Sequence, residues 1–141
     1  MSTQPFVLER MLNAPVNKVW EAITDNQKMK QWYFKLEEFR PEVGFEFRFW
    51  GGSKEKQYLH ICTITEVIPG KKLTHSWTYD GYEGESFVTW ELFDEGDKTK
   101  LKLTHEGIES FPNLPDFART SFEKGWTYIT GTSLPEYLAK N

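Results

Sequence analysis

The spacing of apolar residues along the chain changes period more than once, and each change marks an element. Residues 5–12 (PFVLERML) read as a first strand. The turn at Asn13-Ala14-Pro15 then starts a helix, with proline near the first helical position, where its missing N–H costs nothing. Val16, Val19, Trp20 and Ile23 stand at i, i+3, i+4 and i+7, which is one apolar face of an amphipathic helix ending near Asp25. Asn26 is placed to cap a shorter helical turn toward Trp32, with Met29 and Trp32 on one side.

Between residues 35 and 107 the period is two. Phe45, Phe47 and Phe49 lie on one face, with Glu46 and Arg48 on the other. Turn residues at Gly51-Gly52, Pro69-Gly70, Asp80-Gly81 and Glu95-Gly96-Asp97 separate strands near 45–50, 57–68, 71–79, 85–93 and 98–106. Segment 35–40 adds a further strand to this antiparallel meander. Leu73, His75, Trp77 and Tyr79 share one parity, as do Val88, Trp90 and Leu92, and Leu101, Leu103 and His105. Thr, Ser, Lys and Glu stand opposite them, so one face of the sheet is wet. Strand 57–68 is mixed on both faces.

After the loop IESFPNLPD the period returns to 3.6. Ala118, Phe122, Trp126, Ile129, Ser133 and Tyr137 form a stripe, predicting a helix from 115 to 139 of about 37 Å. Pro135 removes an N–H and presses on the carbonyl of Gly131, so the helix should be kinked near Gly131–Pro135. With no repeat, linker or low-complexity run, residues 1–141 read as one α+β domain.

Composition narrows the functional classes. A net charge of -4 opposes nucleic acid binding, and Lys54, Lys56, Lys71 and Lys72 fall in expected turns. The single Cys62 excludes an internal disulfide and suits a reducing cytoplasm, with a packing role for the thiol. The chain starts without a signal-like segment, and no apolar run approaches the roughly 18 residues of a membrane span. Aromatic residues make up 16% of the chain, six of them Trp. They suit a core and equally the wall of a pocket for flat organic molecules.

Five segments in order, APVNKVWEAITD with QWYF, TEVIPGKKLTHSW, SFVTWEL, KLKLTHEGIE and GWTYITGTSLPEYLAK, resemble the Hsp90-ATPase-activator-homologue branch of the START-like, or SRPBCC, superfamily. The resemblance spans nearly the whole chain. It implies a helix-grip fold, β-α-α-β6-α, in which a curved antiparallel sheet wraps the last helix and leaves a cavity between them. Members are similar in shape to lipid carriers, polyketide cyclases and aromatases, hydrolase-like proteins and co-chaperone domains.

Within that fold His105 shares the covered face with Leu101 and Leu103, and the family's motif has a His at this place, followed by Gly107. Three roles stay open for it: a core histidine tied to a carbonyl, a ligand contact, or an acid–base catalyst. No Asp or Glu shares the covered face of these strands, which disfavours catalysis. His75 follows the same parity. Trp32, Trp77, Trp90 and Trp126 map to the cavity side, with Phe47, Phe49, Phe122 and Ile129 beside them and the Tyr58 and Tyr79 hydroxyls at its mouth. A metal on His60, Cys62, His75 and His105 lacks a closely spaced ligand pair, and Ser133 has no base at predictable reach. The expected function is binding, sequestration or transport of a small hydrophobic or aromatic molecule, without cofactor, by a monomer or weak homodimer. A cyclase- or hydrolase-like enzyme using His105 and a module modulating a chaperone ATPase are the alternatives.

Overall fold

The computed structural model describes residues 4–34, 36, 38–52 and 55–140. Strand β1 (Phe6–Leu12) is followed by helices α1 (Val16–Thr24) and α2 (Asn26–Trp32). Strands β2 (Glu46–Gly52), β3 (Gln57–Ile68), β4 (Lys72–Tyr79), β5 (Ser86–Asp94) and β6 (Thr99–Glu106) then form a meander. The sheet is antiparallel, in the order β1-β6-β5-β4-β3-β2. The C-terminal helical segment covers its apolar face, giving the α+β helix-grip architecture.

The expected strand at 35–40 is absent among its described residues. Leu36 and Phe39 both enter the core, and a spacing of three cannot bury both from one face of a strand. Residues 35 and 37 lie outside the described residues. The cap of α2 is Asp25, one residue before the expected Asn26. The Asp25 carboxylate accepts from the backbone N–H of Gln27 at 2.9 Å and of Lys28 at 3.3 Å.

The mixed pattern of 57–68 has a cause in the register. Ile64 pairs with His75 but Glu66 pairs with Thr74, so Thr65 is the extra residue of a β-bulge. Before the bulge Tyr58, His60, Cys62 and Ile64 all point into the core, and beyond it the alternation is offset.

The last helical segment is not uniform. A 3-10 turn at Pro115–Phe117 precedes α3 (Arg119–Tyr128), so the α-helix begins later than residue 115. A π turn over Ile129–Ser133 leads into α4 (Leu134–Lys140). There the Leu134 N–H bonds the Ile129 carbonyl, five residues back, interrupting the α ladder just before Pro135. The extra residue rotates the buried stripe. Thr130, Leu134 and Leu138 are buried after Trp126, whereas the expected Ile129 and Ser133 are only half-buried. The helix pair and the last segment are tied together by Trp32, whose indole N–H donates to the Ala22 carbonyl at 2.9 Å and whose carbonyl accepts from the Ser133 hydroxyl. Among the described residues no helix is long and apolar enough to cross a membrane.

Candidate functional site

Between the sheet and α3 lies a cleft of about 340 Å³. Tyr58 and His60 of β3 and Trp77 and Tyr79 of β4 form the sheet wall because their positions alternate inward on adjacent strands. Phe122, Gly125, Trp126 and Ile129 form the helix wall, and Phe34, Gly51, Asp116 and Phe117 complete the rim. Glycine at 51, the next inward position after Phe47 and Phe49, keeps one end open. A Cβ there would stand 3.0 Å from His60 Cε1 and 3.1 Å from Phe34 Cε1.

The polar groups of this wall are held by short bonds. The Tyr58 hydroxyl donates to Asp116 Oδ2 at 2.6 Å, and that bond with burial pushes the Tyr58 phenol up to about 12. Lys56 Nζ sits 5.3 Å from the Tyr58 ring centroid and 5.6 Å from that of Tyr82, so the mouth carries both charges. His60 Nδ1 lies 3.0 Å from the Tyr58 carbonyl, and its ring stacks on Phe49 at 4.5 Å. Burial lowers its pKa to about 4, so it is neutral at working pH. Trp77 Nε1 donates to the Tyr79 hydroxyl at 2.9 Å.

Six of the residues expected from sequence, Tyr58, Trp77, Tyr79, Phe122, Trp126 and Ile129, stand on this cleft. Trp32, Phe47, His75 and Trp90 do not. They close around a separate void of about 10 Å³, room for no more than about one water. Phe49 backs the cleft through its stack on His60 rather than lining it. His75 is fully enclosed. Its Nδ1 is 2.9 Å from the Ser76 carbonyl, its Nε2 accepts from Trp90 Nε1 at 3.4 Å, and burial lowers its pKa to about 4.

His105 also lies off the cleft, behind Trp77 and Trp126. Its Nδ1 accepts from Trp126 Nε1 at 3.0 Å, so its proton is on Nε2, which donates to Ser86 Oγ at 2.8 Å. The Ser86 hydroxyl in turn donates a hydrogen bond to the Trp77 carbonyl at 3.0 Å. Burial lowers the His105 pKa to about 3. Gly107, at φ +89°, lets the chain turn beneath this network, since a Cβ there would meet the Glu85 carbonyl at 2.8 Å.

Among the cleft residues that the sequence reading does not reveal are two titratable ones, His60 and Asp116. His60 was hidden by the bulge that blurred the faces of β3, and Asp116 comes from a 3-10 turn that the helical stripe did not resolve. Among the described residues no group of three or more His, Cys, Asp or Glu stands where it could hold a metal ion.

The family described as "Activator of Hsp90 ATPase homolog 1-like protein" matches residues 13–139. The protein MLL2253 from Mesorhizobium loti superposes with a TM-score of 0.79 at 24% identity, over 98% of both chains. DynU16, a protein of the dynemicin biosynthetic locus, matches with a TM-score of 0.76 at 25% identity. That match covers 96% of this chain but 47% of DynU16, so the chain spans about half the length of that relative. CalU16 from Micromonospora echinospora matches with a TM-score of 0.71 at 25% identity, over 95% of this chain and 75% of that one. Among curated proteins none matches significantly.

Proposed function

Since the chain belongs to the Activator of Hsp90 ATPase homolog 1-like family, we propose that it binds a small hydrophobic or aromatic molecule in the cleft between its sheet and its last helix. The observation that carries this reading is the cleft itself: about 340 Å³ walled mainly by the rings of Trp77, Tyr79, Phe122 and Trp126, with polar groups from Tyr58, His60 and Asp116 among them. Affinity would come from burial of apolar area, on the order of 25 cal/mol per Å². Occurrence of the similar DynU16 in a biosynthetic locus is consistent with a small organic ligand.

Acid–base catalysis by His105 finds no geometric support, because both ring nitrogens are engaged inside the core. The family description supports a second reading, contact with a chaperone ATPase. Native mass spectrometry of freshly purified protein, followed by titration with polyphenols and fatty acyl compounds, tests the first reading. A stoichiometric adduct or saturable micromolar binding is expected. Absence of both, with a change in the turnover of an added Hsp90-type ATPase, would favour the second.

A further inference from the structure

The sheet wall of the cleft has one hydroxyl whose proton finds no acceptor among the described residues. Tyr79 is 7% exposed and stands on the cleft. Its oxygen accepts the Trp77 indole N–H at 2.9 Å. A phenol also has a proton to donate, and among the described residues no acceptor takes it. The other polar groups of this wall have spent theirs. The Tyr58 proton goes to Asp116 at 2.6 Å, the Trp77 N–H goes to Tyr79, and His60 Nδ1 is held at the Tyr58 carbonyl. A buried donor without a partner costs free energy that an arriving acceptor recovers.

We propose that the Tyr79 hydroxyl is the recognition point of the cleft, and that the ligand is an apolar ring compound carrying a neutral acceptor oxygen, such as a carbonyl, placed to receive that proton. The inference rests on the reading that the cleft holds a small apolar molecule and adds the chemistry that orients it. Donation from Trp77 polarises the Tyr79 O–H and makes it a better donor. Burial raises the Tyr79 pKa above its ordinary value, so the proton stays in place at working pH. Asp116 adds to that rise from the mouth, and an anion would have to shed its water against the rings beside Tyr79, leaving a neutral acceptor as the fit. Rings bound the same spot, with Phe117 at 4.6 Å and His60 at 4.7 Å from Tyr79, so the rest of the ligand meets apolar faces.

The test uses 1-indanone and indane, two probes of nearly the same shape that differ in one carbonyl, titrated by amide and indole chemical shifts. Tyr79→Phe should weaken 1-indanone about tenfold, the worth of one hydrogen bond, and leave indane within about twofold. The Trp77 indole N–H resonance of the unaltered protein should move further with 1-indanone than with indane. A second measurement needs no variant: the vibration of a 13C-labelled 1-indanone carbonyl should drop in frequency on binding, relative to an apolar solvent. Equal effects of Tyr79→Phe on both probes, or an unshifted carbonyl frequency, would overturn the inference while leaving cleft binding intact. Failure of both probes to bind the unaltered protein would overturn that reading and the inference with it.

Discussion

Trp126 donates its indole N–H to Nδ1 of His105 at 3.0 Å, joining the last helix to strand β6 through a histidine that never reaches the cleft. The bond fixes the tautomer of His105 and so sets the direction of the relay through Ser86 to the Trp77 carbonyl. Replacing the imidazole by a ring that cannot bond strands the Trp126 N–H and removes a partner of Ser86. His105→Phe should therefore cost about 2–4 kcal/mol of stability in urea unfolding. Unchanged stability with lost ligand binding would instead return His105 to the binding machinery.

Burial holds the folded pKa values of His60 and His75 at about 4 and of His105 at about 3, below the ordinary 6.5. The unfolded chain takes up protons below pH 6.5 while the folded chain does not. Stability contributed by these groups is thus complete above pH 6.5 and is lost as pH falls toward 3–4. Each histidine adds a slope of up to about 1.4 kcal/mol per pH unit in that window. Urea midpoints at pH 7 and pH 5 should show the fall, and His105→Phe should remove roughly one third of the histidine-linked slope. A midpoint independent of pH across this range would contradict the assignment of neutral buried rings.

Periodicity alone was enough to read the five strands from 45 to 106 and the helix after Pro15, because one half-buried face repeats every two or 3.6 residues. It failed where one residue is inserted. Thr65 bulges out of β3 and conceals that His60 and Cys62 share the inner face, and the π turn at Ile129–Ser133 shifts burial from Ser133 to Thr130 and Leu134. Parity also cannot tell depth along a strand. His75 and Trp77 are two residues apart on β4 and face the same way, yet Trp77 borders the cleft and His75 the closed void. Asp116 was illegible for another reason, since its place depends on where the loop after β6 crosses the mouth.

Cys62 is 0% exposed, and burial holds its thiol well above the ordinary range. Reaction requires thiolate and access, and the folded chain offers neither. A disulfide reagent at pH 8 should modify native protein at least about a hundredfold more slowly than urea-unfolded protein. Rapid labelling without unfolding would show that β3 opens readily beside the cleft.

Gly125 sits in the middle of α3 on the cleft wall, where glycine weakens a helix by about 1 kcal/mol relative to alanine. No neighbour requires it. A Cβ at this position would meet nothing within 4 Å, so crowding in the folded protein does not explain the residue, whereas a ligand lying against bare helix backbone would. Gly125→Ala should raise the melting temperature by about 2–4 °C through helix propensity. Gly125→Leu should keep most of that gain and extend its side chain toward the cleft, since its Cβ meets nothing within 4 Å. Calorimetric melting and probe titration should then move in opposite directions, with the leucine variant more stable and its affinity reduced at least about tenfold. A leucine variant that binds the probe as tightly as the unaltered protein would place the ligand away from the helix wall, and the glycine would be left without a role in binding.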